Sequence, residues 1–173
     1  MSRPRQDLRV ELPHRPGALA DLGEALGRAG VSLEGGGVVA HGERAVAHYL
    51  VDDGATALDA VASAGLGPAV VRDVVVTRLD QDTPGQLGTL ARLLGDAGVN
   101  VEVQYSDHDG NLVVVADDDT ACREVVEAWE RGLPGGHGWS RAVRQVILVR
   151  GSPGPPEGRS KWRRHRSDWR IDR

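Results

Sequence analysis

The chain has 173 residues, a formal net charge of −4 and one cysteine. A single cysteine excludes a framework of intrachain disulfides and is typical of proteins from reducing compartments. The chain has 23 glycines and no Phe, which indicates a core of Val, Leu and Ala with tight turns and close backbone crossings. No apolar run reaches the length of a signal peptide or a membrane span, so we expect a cytoplasmic protein without membrane association.

The charges are distributed unevenly. Residues 151–173 hold seven Lys or Arg against three Asp or Glu, whereas residues 1–150 hold 14 against 22. An acidic body argues against a folded nucleic-acid surface. The basic tail also contains Trp162 and Trp169, a combination that can contact nucleic acid or acidic lipids but is more often a solvated extension. We expect residues 151–173 to be disordered and expect no nucleic-acid partner.

An internal repeat organises the chain. The segment Arg-Pro-Gly-Ala-Leu at positions 15–19 returns 68 residues later as Thr-Pro-Gly-Gln-Leu at positions 83–87. The same offset relates further pairs: Leu22 and Leu90, Leu26 and Leu94, Ala29 and Ala97, Gly30 and Gly98, Val31 and Val99. A period this long predicts two small domains, residues 1–73 and 74–150, and units of this size need to bury a face against each other or a second chain.

The first unit begins with Leu8, Val10 and Leu12 in alternation, which predicts a half-buried strand ending at Pro13. A helix is expected from Pro16 to Gly30 with Leu19, Leu22, Leu26 and Ala29 as its buried face. Next come a strand from Val31 to Val39 with a bulge at residues 35–37, a turn at 41–43 and a strand from Ala45 to Val51. Asp52 and Asp53 then precede a helix with Leu58, Val61 and Ala62 buried, and Ala69–Leu79 is interpreted as one long or kinked strand.

The second unit repeats this order. The expected elements are a helix over Pro84–Ala97, strands over Val99–Tyr105 and Leu112–Ala116 with a turn at 108–111, a helix over Thr120–Arg131 and a strand over Ala142–Arg150. Strand, helix, strand, strand, helix, strand, repeated twice, is an α+β arrangement of two ferredoxin-like βαββαβ units packed side by side.

The corner between the first strand and the first helix of each unit is the candidate site. Pro-Gly at a helix start brings unpaired amides to the end of a strand, where a carboxylate can bind, and Gly17 and Gly85 leave room for it. A polar residue, His14 or Asp82, precedes each corner. The alternative is an ordinary tight turn in which Asp82 or Thr83 caps the helix.

These motifs resemble the ACT domain, a small-molecule-sensing module of amino-acid biosynthetic enzymes. The resemblance rests on Arg-Pro-Gly-Ala-Leu-Ala-Asp-Leu and Ala-Gly-Val in the first copy, and on Asp-Thr-Pro-Gly-Gln-Leu and Gly-Val-Asn-Val in the second, and it covers residues 6 to about 150. It implies a free amino acid or similar effector bound where two domains meet side by side, through the corner and the start of the second strand. The implied ligand-binding residues are His14, Arg15, Gly17, Ala18, Leu19, Ser32, Asp82, Thr83, Gly85, Gln86, Leu87 and Asn100.

The two copies differ within this resemblance. Serine-sensing members carry asparagine at the start of the second strand, which Asn100 matches and Ser32 does not. His14 also departs from the more usual Asp or Asn. The first copy is therefore expected to be a weaker site or to select a different ligand group.

Other chemistry finds little support. The acidic triplet at 117–119 immediately precedes a helix, where capping carboxylates are expected, and the six histidines lack zinc-site spacing. Cys122 is interpreted as a packing residue. With no nucleophile–base pair, metal set or cofactor loop, we expect a sensor without catalysis, cofactor or metal that acts as a homodimer or internal pseudo-dimer, with an unidentified partner enzyme as a further possibility. The alternatives are a ligand-free assembly module and a small enzyme using His14 and Asp82.

Overall fold

The computed structural model describes residues 5–132, which form two consecutive α+β units. The first unit contains β1 (Gln6–Pro13), α1 (Ala18–Arg28), β2 (Gly36–His41), β3 (Arg44–Val51), α2 (Gly54–Ser63) and β4 (Ala69–Asp73). The second contains β5 (Val75–Thr77), α3 (Gln86–Asp96), β6 (Val101–Ser106), β7 (Leu112–Ala116) and α4 (Asp119–Glu130). The expected strand at 142–150 and the tail lie outside the described residues.

The strand order confirms the ferredoxin-like class. The first sheet has the order β2-β3-β1-β4 and the second has the order β5-β7-β6, and all neighbouring strands are antiparallel. In β1 the alternation places Leu8, Val10 and Leu12 in a buried core with α1 and α2, as predicted. The equivalent second core packs α3 and α4 against β5 and β7.

Both corner helices begin later than expected. Gly17 and Gly85 are the N-cap residues, with left-handed φ values of 87° and 88°, so the helices start at Ala18 and Gln86 rather than at the prolines. The buried face also differs from the expected one. The buried residues of α1 are Ala18, Leu22, Ala25 and Leu26, whereas Leu19, predicted to be buried, is 48% exposed, and Ala29 is also exposed.

The two corner helices end in the same way. Gly30 and Gly98 are left-handed, and the following valine N–H groups donate to Leu26 and Leu94, a Schellman arrangement. After this turn the chain at residues 31–34 forms no strand, and β2 begins at Gly36 instead of Val31. Likewise β6 begins at Val101 instead of Val99. Val31 and Val99 were predicted to begin strands, but they close the ends of the preceding helices and pack against the cores.

The second helix of the first unit also differs in detail. Asp53 is its N-cap and accepts a hydrogen bond from the Thr56 N–H at 3.0 Å, as the acidic pair predicted. The buried residues are Gly54, Ala57 and Val61, whereas Leu58 is partly buried and Ala62 is exposed. Small residues on the buried face bring α2 close to the sheet.

The segment predicted as one long or kinked strand is kinked at a single residue. β4 ends at Asp73 in the first sheet and β5 begins at Val75 in the second sheet, so Val74 alone connects them. Val74 is buried and belongs to a small apolar cluster with Leu50, Val113 and Val115.

That cluster joins the helix-free faces of the two sheets. Val113 and Val115 alternate along β7 with residues that face α3 and α4, so they point away from the helices, and Leu50 does the same on β3. The two units therefore bury a face against each other, as their small size required.

Gly35 allows the two backbones to meet. It forms an antiparallel bridge with Asp107, and a Cβ at this position would lie 2.6 Å from the Asp107 Cα and the Ser106 carbonyl oxygen. The expected bulge at 35–37 is instead a contact between the units, followed by regular pairing of Gly36 and Gly37 with β3.

Candidate functional site

The helices at the two corners lack side-chain caps, whereas the other two described helices have them. Asp53 and Asp118 accept hydrogen bonds from the first turns of α2 and α4. Gly17 and Gly85 provide no such acceptor. Among the first amides of α1 and α3, only that of Ala18 has a partner within residues 5–132, the Arg15 carbonyl at 3.3 Å, and the others remain available to a ligand. Asp82 and Thr83 do not cap α3, because the N-cap is Gly85; the interpretation of the corner as an ordinary tight turn stays an alternative.

In the first corner, His14, Arg15 and Gly17 are exposed. The backbone N–H of His14 donates to the Glu43 carbonyl at 2.9 Å. The Nδ1 of the His14 ring lies 3.1 Å from the Gly42 carbonyl oxygen. Arg15 donates to Asp21 at 2.7 Å, across the first turn of α1. These contacts fix the corner to the β2–β3 hairpin and leave a guanidinium beside the helix N-terminus.

In the second corner, Asp80 organises the loop, a residue that sequence reasoning missed. Its carboxylate accepts from the Thr83 hydroxyl and from the Asp82 N–H, and these bonds, the Thr83 one foremost, lower the Asp80 pKa. The Gln86 Oε1 accepts from the Asp80 N–H at 2.7 Å. The sequence signal that could have identified Asp80 is its position three residues before Thr83, because aspartate often forms turns through its side chain.

Matching leucines flank the two corners. Leu19 and Leu87 occupy equivalent positions in the first turns of α1 and α3 and are 48% and 45% exposed. Ala18 is buried, so it can offer a ligand only its backbone, while Gln86 at the equivalent position is partly buried. Each corner thus presents an apolar side chain beside uncapped amides.

Ser32 and Asn100 do not lie beside the corner of their own unit. β1 and β2 both pair antiparallel with β3 and are therefore parallel, so β1 ends at the opposite end of the sheet from the start of β2. The same relation holds for β5 and β6, which both pair with β7. Asn100 is further tied to the turn before α4, where its N–H donates to Asp117. A ligand touching both groups of residues needs them from different units.

A polar cluster around the buried Asp7 connects the two units, and sequence reasoning missed it. Asp7 is 1% exposed; its carboxylate accepts from the Tyr105 hydroxyl at 2.8 Å and lies 2.8 Å from the His48 Nδ1. Burial, followed by the Asp7 charge, raises the Tyr105 pKa. The phenol therefore stays protonated and acts as a hydrogen-bond donor at neutral pH.

Further ion pairs flank this cluster. Arg5 donates to Asp107 at 2.9 Å, and Arg72 contacts Glu102 and the Ala116 carbonyl. Burial alone would raise the Asp107 pKa, but hydrogen bonds from Asn111 and Asp109 and the Arg5 charge lower it overall. β6 crosses the first sheet: Asp107, just after β6, pairs with Gly35, just before β2; Tyr105 contacts Asp7 of β1; and Glu102 contacts Arg72 of β4.

The remaining predicted features have structural roles. Asp118 is the N-cap of α4, and Cys122 is buried in the second core, where burial raises its pKa to about 11. Within residues 5–132 no group of three or more His, Cys, Asp or Glu side chains is placed to hold a metal ion. None of the helices in that range combines the length and apolar character needed to cross a membrane.

Comparison with known proteins supports the fold. Protein BT0572 from Bacteroides thetaiotaomicron is similar with 22% identity and a TM-score of 0.63, over 72% of this chain and 88% of that one. The ligand-free regulatory subunit of aspartate kinase from Thermus thermophilus has 22% identity and a TM-score of 0.55, over 84% of this chain and 93% of that one. Aspartate kinase from Synechocystis has 14% identity and a TM-score of 0.61, over 82% of this chain and 27% of that one.

The sequence itself matches no protein-family model and no curated protein. The chain is therefore similar in fold to proteins that include regulatory subunits of aspartate kinase and a segment of a complete aspartate kinase.

Proposed function

We propose that the chain is a non-catalytic tandem ACT-domain regulator that binds a free amino acid or a similar small effector. The observation that carries this proposal is the pair of exposed corners whose helices begin at left-handed glycines without a side-chain cap. Such helix ends favour a carboxylate through their free N–H groups and the helix dipole. The similarity in fold to regulatory subunits of aspartate kinase supports a regulatory role.

The proposed site combines the corner of one unit with the second-strand opening of another, since the two lie at opposite ends of one sheet. The edge of β2 favours a second copy as the source of the missing half. All six β2 residues are exposed, Val39 at 73%, and within the described part of the chain β2 pairs on one side only. An open edge of this kind pairs readily with another chain, so we propose a cytoplasmic homodimer.

Thermal unfolding in the presence of each of the twenty common amino acids tests the proposal. A ligand at a hundred times its dissociation constant adds about 2.7 kcal/mol to the free energy of unfolding. At roughly 2–4 °C per kcal/mol, the midpoint rises by about 5–11 °C. If no amino acid shifts the midpoint while the protein sediments as an oligomer, the sensing role is wrong and the assembly role is favoured.

The Gln86→Glu variant tests the corner. Glutamate keeps the acceptor for the Asp80 N–H and places a negative charge at the helix N-terminus, where it favours the fold but repels a carboxylate ligand. Gln104→Glu makes the same change at an exposed position of β6 and is the matched control. We expect Gln86→Glu and Asn100→Ala to reduce the midpoint shift and Gln104→Glu to preserve it; equal shifts in all variants contradict the corner site.

A further inference from the structure

A charged cavity lies at the end of β1, next to the first corner. Its volume is about 310 Å³, within the range of sites for small ligands. Pro13 and Pro68 form rigid apolar walls, and Glu11, Glu43 and Arg44 supply the charges. The cavity involves neither the uncapped helix ends nor the strand-two openings.

Glu11 is fixed at the floor of this cavity by two arginines. Arg9 donates to one carboxylate oxygen at 2.9 Å and Arg44 donates to the other at 2.6 Å. The Arg9 hydrogen bond foremost lowers the Glu11 pKa, so the carboxylate is ionised at neutral pH. Arg9 and Arg44 therefore balance the negative charge of Glu11 before any ligand binds.

Two further charges remain open to a ligand. The Arg44 side chain is 74% exposed and reaches Glu11 through one nitrogen, so other guanidinium N–H groups are unused by that contact. Among residues 5–132, neither a hydrogen bond nor an ion pair engages the Glu43 carboxylate. One acceptor for a cation and one donor for an anion thus line the same cavity.

We propose that this cavity is a second ligand site, which binds a small zwitterion of the α-amino acid class with its carboxylate at Arg44 and its ammonium at Glu43. A simple anion would meet the carboxylates of Glu11 and Glu43, and a simple cation would meet the Arg44 guanidinium. A molecule carrying both charges a few ångströms apart satisfies the two open groups together.

The described part of the second unit lacks the three charges that line this cavity. At the positions 68 residues after Glu11, Glu43 and Arg44, the chain carries Leu79, Asn111 and Leu112. The proposal therefore requires one such site per chain, whereas the corners occur twice. It is independent of the corner site proposed above.

Isothermal titration with each of the twenty common amino acids tests this site. Glu43→Gln and Arg44→Gln each remove one open charge, and we expect each to weaken one binding event per chain at least about tenfold. Glu24→Gln and Arg28→Gln are the matched controls, because these residues form an exposed ion pair on α1 away from the cavity. The amide and the N-acetyl derivative of the best ligand, which lack the carboxylate and the ammonium charge, should lose this event.

The outcomes separate the two proposals. Binding that is insensitive to Glu43→Gln and Arg44→Gln but lost in Gln86→Glu overturns the cavity site and leaves the corner site standing. The reverse pattern supports the cavity and contradicts the corner at Gln86. Undiminished binding of the N-acetyl derivative at this site, or no amino-acid binding at millimolar concentration, overturns the cavity proposal.

Discussion

The hydroxyl of Tyr105 provides the sharpest test of the contact between the two units. It donates at 2.8 Å to Asp7, a carboxylate that is 1% exposed. Tyr105→Phe removes the hydroxyl, so one oxygen of the buried Asp7 carboxylate loses its hydrogen bond from Tyr105. Hydrogen bonds to charged groups contribute about 1.5–3 kcal/mol, so we expect the free energy of unfolding to fall by about 2 kcal/mol. At roughly 2–4 °C per kcal/mol, the midpoint falls by about 4–8 °C.

Urea unfolding at neutral pH measures this change, with Tyr49→Phe as the matched control. Tyr49 is also partly buried, but its hydroxyl has no hydrogen-bond partner within residues 5–132. We expect Tyr49→Phe to change stability by less than about 0.5 kcal/mol. A double-mutant cycle of Asp7→Ala with Tyr105→Phe isolates the pair. Equal losses in the two Tyr→Phe variants, or a coupling energy near zero, would refute the reasoning.

Three further predictions concern packing, pH and thiol chemistry. Gly35→Ala should destabilise the fold by about 1–3 kcal/mol in urea unfolding because its Cβ meets the backbone of the second unit, whereas Gly37→Ala meets open space and should have little effect. The lowered pKa of Asp107 contributes stability that is present above its ordinary pKa and is lost as pH falls through the lowered value, so unfolding free energy should fall less on acidification in Asp107→Asn. Cys122, with a pKa of about 11, should react with a disulfide reagent at pH 8 only when the protein is unfolded, and rapid labelling of the native protein would contradict its burial.

Local sequence patterns predicted most of the scaffold. The repeated Ala-Gly-Val segments identified the helix ends because a left-handed residue there is nearly always glycine. The alternation around Val10 identified β1 because one of its faces is buried. The same local signals were wrong at two apolar positions. Val31 begins no strand because it closes the end of α1, and Leu19 is exposed in the first turn of α1, at the corner.

The polar residues at the contact between the two units could not be predicted from local sequence patterns. Asp7 and His48 are polar residues that alternate with apolar ones in β1 and β3, a pattern that by itself predicts solvent-facing positions. Asp7 is buried and His48 is partly buried where Tyr105, 98 residues from Asp7 in the sequence, lies over the helix-free face. The charged cavity was missed for the same reason, since it joins Glu11 to Arg44 across two strands and adds Pro68 from a distant loop.

The passage of the chain through Val74 limits how the molecule can move. Only one buried residue separates the last strand of the first sheet from the first strand of the second. The two units are therefore not joined by a flexible linker. Any reorientation must pull Val74 from its apolar neighbours or break strand pairing beside it. Cutting the chain at this point would therefore expose an apolar surface on each half, Leu50 on one and Val113 and Val115 on the other.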